Sequence, residues 1–129
     1  MTTLFTKIIN GEVPSYKVAE TADFFAFLDI NPNSAGHTLC VPKTPVDKVL
    51  DMREEDFLSL MRFSRKVGIA IEKAISCKRV GMSIIGLEVP HTHVHLIPLH
   101  TMVDATFQQK TTLTADQFKD IAARISANM

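Results

Sequence analysis

Residues 89–98 read Val89-Pro90-His91-Thr92-His93-Val94-His95-Leu96-Ile97-Pro98. Side chains of a strand alternate between its two faces, so a strand over His91–Pro98 sets His91, His93 and His95 on one side. Thr92, Val94 and Leu96 fall on the other side and supply an ordinary core face. Neighbouring imidazoles on one face stand roughly 7 Å apart. Core packing does not call for such a row, and the plain alternative is a histidine-rich solvent face. Two chemical readings stand beside it. Neutral imidazoles ligate transition metals, with His37 as the candidate further ligand. One imidazole can instead attack phosphorus while its neighbours hydrogen-bond the developing charge. An imidazole suits that work because its ordinary pKa lies near neutrality, so turnover is expected to fall below about pH 6.

Outward from this strand, the remaining elements follow from periodicity and turn chemistry. Leu4, Phe5, Ile8 and Ile9 at helical spacing predict a short helix to Asn10, stopped by Gly11 with Pro14 beyond. Tyr16–Thr21 alternates as a strand, and Phe24–Asp29 returns as its hairpin partner. Asn31–Gly36 is a loop, and His37–Val41 a central strand closed by Pro42. Asp51 stands three residues before Glu54 in an arrangement resembling a capping box. From about Arg53 to Ser76, Phe57, Leu60, Met61, Ser64, Val67, Gly68, Ile71 and Ile75 form one apolar helical face. Gly68 costs about 1 kcal/mol against Ala within a helix, which suggests close packing on the sheet. Arg79–Ile85 reads as a further strand. Thr114-Ala115-Asp116-Gln117 is a capping box opening a last helix to about Ala127. The expected architecture is α+β, a mostly antiparallel sheet of about five strands with one long and two shorter helices, in a single domain over 1–129.

Composition removes several classes. The 129 residues carry 14 Lys+Arg against 14 Asp+Glu, and no basic run exceeds two residues. Phosphate-backbone binding needs clustered cations, so a nucleic-acid partner is not expected. A hydrophobic content of 46% argues against disorder. Neither a signal-peptide pattern nor a run near the ~18 apolar residues of a membrane span is visible, so no membrane partner is expected. Cys40 and Cys77 form no CxxC pair and read as reduced thiols of a cytoplasmic protein, Cys40 in the core.

The histidine stretch resembles the signature of the histidine triad (HIT) family, His-φ-His-φ-His-φ-φ with φ apolar. His91-Thr92-His93-Val94-His95-Leu96-Ile97 matches it apart from Thr92 at the first φ. Phe5–Pro14 resembles the family's opening segment. Phe27–Pro32 and Gly36–Lys43 resemble its nucleotide-side strands. The length suits the small hydrolase-like branch. The resemblance implies an antiparallel α+β homodimer that needs no metal or cofactor. It implies that His93 attacks the α-phosphorus of a nucleotide conjugate, forming a nucleotidyl-histidine from which water releases an adenosine monophosphate-like product. His91 and His95, with His37 behind them, would orient the nucleophile and stabilise the phosphoryl oxygens. Asp29 would accept from the ribose hydroxyls, as one carboxylate can from a vicinal diol. Phe27 and Ile30 would pack the base or its surroundings.

Before the triad the chain departs from the family pattern Gly-Gln-x-Val. Gly86 and Val89 match, but Leu87 replaces the Gln, and the preceding loop is short. Glu88 stands where a Ser or Thr often meets the phosphate, and Ser83 is the nearest substitute for an upstream Asn. Losing a donor to a developing charge costs about 3 kcal/mol. Three expectations compete: weak or redirected hydrolysis with Glu88 favouring a cationic, amine-type leaving group; a nucleotide-binding regulatory protein with little turnover; or a metal site built on the histidines. Asp29, His37 and Glu88 each also have a plain structural reading, as a strand end, a buried histidine and a solvent-facing acid.

Overall fold

Runs that are apolar on both faces require a covering layer on each side of a sheet. The computed structural model, which describes residues 1–129, meets that requirement. Five strands, β1 (Lys17–Glu20), β2 (Phe24–Leu28), β3 (Thr38–Pro42), β4 (Arg79–Ser83) and β5 (Val94–Leu99), lie in the order β1-β2-β3-β5-β4. Every neighbouring pair is antiparallel. Three helices, α1 (Leu4–Ile9), α2 (Glu54–Ala74) and α3 (Ala115–Ser126), complete the α+β fold, as the apolar periodicity predicted.

The pleat divides the apolar residues between two clusters. Ala26, Leu28, Cys40, Val94 and Leu96 face α2 and α3, meeting Leu60, Phe63, Val67, Ile71, Phe118 and Ile125 in the larger core. The alternate residues Phe25, Phe27, Leu39 and Val41 face the other way, against Phe5 of α1. The second face carries the site. Register fixes a row across it, because Phe27 pairs with Leu39, Leu39 with His95, and Ser83 with His95. Thr92 takes its expected inward place, donating to the Val46 carbonyl at 2.7 Å.

Several boundaries differ from the expectation. β5 begins at Val94 and not at His91. Ahead of it the Thr92 N–H bonds the Val46 carbonyl outside the ladder, and the first pair with β3 is Cys40 with Val94. Asp51 does not cap α2. It ends a 3-10 turn, Val49–Asp51, and Arg53 takes the N-cap without a side-chain bond. Glu54, Glu55 and Asp56 in the first turn supply negative charge to the helix dipole instead. β4 stops at Ser83. Gly68 is not a point of forced contact, since a Cβ there would meet Leu96 Cδ2 at 3.8 Å, ordinary van der Waals distance. The Thr114 cap of α3 forms as expected, its hydroxyl accepting from the Gln117 N–H at 3.2 Å. Cys40 is fully buried and both cysteines are unpaired. No helix is long and apolar enough to cross a membrane.

Candidate active site

His37, His91 and His93 are each anchored by a backbone group, and His95 is anchored through His37; these bonds determine which ring nitrogen bears hydrogen. The His93 Nδ1 lies 2.7 Å from the His91 carbonyl. A carbonyl only accepts, so Nδ1–H donates and the Nε2 of neutral His93 keeps its lone pair. The Asn33 N–H donates to His37 Nδ1 at 3.0 Å. The hydrogen of neutral His37 is therefore on Nε2 and is given to His95 Nδ1 at 2.9 Å. His95 in turn carries its hydrogen on Nε2. His93 and His95 both line one cavity, with ring centroids 4.8 Å apart. A lone pair and an N–H donor thus stand side by side, the first assigned by the His91 carbonyl and the second by the Asn33 N–H relayed through His37.

Burial keeps His37 and His95 uncharged. Desolvation, aided by His95, Lys110 and His93, holds His37 down at about 3. Desolvation, with His93 and Lys110, holds His95 at about 4. Both are neutral at pH 7, so the tautomer assignments hold there.

His91 differs from its expected place. It is fully buried and absent from the cavity wall. Its Nε2–H donates to the Pro42 carbonyl at 2.7 Å, and its Nδ1 accepts from the Thr3 hydroxyl at 2.7 Å. With both nitrogens occupied it offers nothing to a phosphoryl oxygen, and it acts instead through its carbonyl on His93. Desolvation lowers its pKa, opposed by the bond to Pro42. Thr3 is also the N-cap of α1, accepting from the Thr6 N–H at 3.2 Å, so the helix start and the first histidine share one hydroxyl. Phe5, two residues on, sets its ring edge-on to His93 at 4.9 Å.

The cavity encloses about 590 Å³. Phe5, Ile8, Val13, Phe27, Leu39 and Val89 give it apolar walls, and Asp29, Glu88, His93, His95 and Lys110 its polar ones. Phe27, Ile30, Asp29 and Glu88 all line it, Ile30 at 73% exposure on the rim. His37 stands behind His95, out of the cavity. Ser83 is opposite His95 across the β4–β5 pair and is not part of the wall. Asp29 Oδ1 accepts from the Asn31 N–H at 2.8 Å, and its Oδ2 lies 3.7 Å from His37 Nε2. Burial raises its pKa, against the Asn31 bond and the charge of Lys110.

Asp29, His37 and His95 hold one potential ligand atom each within 4.8 Å of the others. The His37–His95 spacing of 2.9 Å is that of an N–H···N bond, and His37 Nδ1 is already taken by Asn33. As arranged, His37 presents a hydrogen and not a lone pair to that point. The set differs from the expected His91, His93, His95 and His37, which His91's two bonds break up.

The loop before β3 is held by Ser34, whose hydroxyl donates to the Pro98 carbonyl at 2.6 Å, and by Gly36 at φ 98°. Phe107 also closes on the site, its ring 4.9 Å from that of His95 at an interplanar angle of 77°. Sequence reading did not single out Thr3, Asn33, Phe107 or Lys110. For Thr3 the signal was the Thr-x-x-Thr spacing ahead of the first apolar run.

Comparison with known proteins identifies the family. The family model described as HIT domain matches residues 10–102. An uncharacterized HIT-like protein of Borreliella burgdorferi is 36% identical over 135 residues, covering 98% of this chain and 97% of that protein. An adenosine 5'-monophosphoramidase of Schizosaccharomyces pombe is 36% identical over 99 residues, 76% of this chain and 74% of that one. The crystal structure of a HIT-like protein from Bartonella henselae superposes with a TM-score of 0.85 at 27% identity, covering 99% of this chain and 96% of that chain. Likeness of this extent reaches well beyond the histidine stretch and takes in the sheet and the helices around it: the chain belongs to the HIT family.

Proposed function

We propose that this protein is a nucleotide hydrolase acting at the α-phosphorus of nucleoside phosphoramidates or related conjugates, through a nucleotidyl intermediate on His93. The observation that carries the reading is the backbone-assigned pair, a His93 Nε2 lone pair beside a His95 Nε2–H, opening into a cavity that also holds Asp29. The activity named for the Schizosaccharomyces pombe relative is of this class.

In the first step His93 Nε2 forms a bond to phosphorus as the bond to the leaving nitrogen or oxygen breaks, and the leaving group takes a proton from water. The phosphorylated ring becomes cationic, and its Nδ1–H donates to the His91 carbonyl, whose dipole stabilises that charge. His95 stays neutral and donates its Nε2–H to a phosphoryl oxygen, a fixed dipole aimed at developing charge. In the second step water attacks phosphorus, the bond to His93 breaks, a proton passes to solvent and the nucleoside monophosphate is released. Asp29 Oδ2, unbonded to any N–H of its own loop, is placed to accept from ribose hydroxyls, and Phe27 and Ile30 flank the base.

A homodimer and a cytoplasmic site of action belong to the same proposal. The edge strand β4 with half-exposed Met82 supports the first, and two unpaired thiols the second. The test is turnover of a fluorogenic adenosine phosphoramidate by wild type and His93→Ala, with adenosine monophosphate binding measured in parallel. Wild-type turnover that falls at least about a thousandfold in the variant, while binding persists, is expected of a lost nucleophile. Equal turnover by both proteins refutes the intermediate. Binding without turnover by wild type points to the regulatory reading, for which the exposed, donor-less Leu87 is the supporting observation.

A further inference from the structure

The segment after β5 is clasped onto the loop that precedes β3. Asn33 Nδ2 donates to the Asp104 carbonyl at 2.9 Å, the Thr111 N–H to the Pro32 carbonyl at 2.8 Å, and Lys110 Nζ to Asn33 Oδ1 at 2.7 Å. Between these ties Phe107 adopts φ 62°, a left-handed conformation that bulky residues rarely take. That backbone turns its ring edge onto His95, and Lys110 Nζ stands 4.9 Å from the ring centroid on the cavity side. Strain of this kind persists where surrounding contacts hold it, and here they bring one ammonium to the histidines.

That ammonium makes no direct ion pair, although Asp29 feels its charge. Its bonded partner is a neutral amide, and no carboxylate lies within 4.0 Å of it. The other formally charged side chains on the cavity wall, Asp29 and Glu88, are both acidic. An anion entering would meet two carboxylates, and burial leaves His37 and His95 unable to answer them at neutral pH. Lys110 is the one cation on the wall.

We propose that Lys110 is a ligand-binding residue, its ammonium pairing with the phosphate of the nucleotide in the cavity. This rests on the nucleotide reading above and deepens it. The segment after the triad would supply the counterion, in place of a donor that Leu87 lacks before the triad. A point charge with two free N–H donors discriminates by charge and little by shape, so it acts on the phosphate and not on the nucleoside.

The experiment compares binding of adenosine monophosphate and of adenosine by calorimetry to wild type, Lys110→Met and Lys110→Arg, at low and high salt. Wild type is expected to prefer the monophosphate, and Lys110→Met to lose about tenfold on the monophosphate with adenosine unchanged. Lys110→Arg should restore most of the preference, and salt should erode it in wild type but not in Lys110→Met. Equal loss of both ligands in Lys110→Met would mean that the residue only holds the segment, and overturns the proposal. An unchanged preference in Lys110→Met overturns it while leaving the nucleotide reading intact. Wild type binding neither ligand overturns both.

Discussion

Acidification should loosen this protein well before its surface carboxylates titrate, because two imidazoles are buried without charge. His37 titrates at about 3 and His95 at about 4 in the folded chain, against an ordinary value of 6.5. Folding has lowered both, so below pH 6.5 the unfolded chain binds protons that the folded chain refuses. Stability is then lost as pH falls, and the loss continues until the folded rings themselves take up protons near pH 4 and then pH 3. Each refused proton costs about 1.4 kcal/mol per pH unit, so two rings give a slope of about 2.7 kcal/mol per unit below pH 6. Because the unfolded rings are only half protonated at pH 6.5, the deficit accumulated between pH 6.5 and pH 5 is about 3 kcal/mol, a large part of the 5–15 kcal/mol typical of a domain. His91, lowered in the same direction, adds to it, and Asp29, raised by burial, works against it. Urea denaturation at pH 7, 6.5, 6, 5.5 and 5 measures the slope. His95→Asn should roughly halve it while starting from lower stability at pH 7. A urea midpoint that stays level from pH 7 to pH 5, at constant m-value, would refute the neutral, backbone-assigned imidazoles on which the mechanism depends.

Thr3→Val removes an N-cap and leaves the buried His91 Nδ1 without a donor. It should cost about 2–4 kcal/mol by urea denaturation, and a loss below about 0.5 kcal/mol would argue against the shared hydroxyl. Gly68→Ala should raise stability by about 1 kcal/mol, because the new methyl finds Leu96 at contact distance and helix propensity improves. A lowered urea midpoint would show that the α2–β5 gap closes on a Cβ. Glu88→Gln should shift the relative kcat/KM of amine-bearing over neutral leaving groups toward the neutral ones. An identical ratio in variant and wild type would assign Glu88 to solvent alone.

Much of the fold was legible because period and burial agree. Phe24–Leu28 and Thr38–Pro42 are covered on both sides, and their unbroken apolar runs say so. Thr92, Val94 and Leu96 alternate with the histidines, and that alternation fixed the face of the sheet on which the site lies. The errors fall where tertiary bonds override local pattern. His91 looked like a strand residue, but the Thr92 N–H is drawn to Val46 and the ladder starts later. Asp51 looked like a cap, yet the chain makes a 3-10 turn before α2. That His93 and His95 belong together was readable from type and spacing, and Asp29 from the family resemblance; all three line one cavity. His91's withdrawal behind the wall was not, because it depends on Thr3, 88 positions away. Lys110 and Phe107 carry no local signature either, since a bulky residue in a left-handed turn is held by contacts from another loop.

The anchors of the imidazoles are the peptide groups of Asn33, His91 and Pro42, and every residue but proline at the first of these positions presents the same N–H, as every residue presents the same C=O. The proton pattern of the site is therefore insulated from most side-chain exchange around it. Under the proposed mechanism, residues 85–88 can change what departs from phosphorus without altering which nitrogen attacks it. A sequence can wander at the exit of such a pocket while its reacting end stays chemically the same, which is how one scaffold could come to serve conjugates with very different leaving groups.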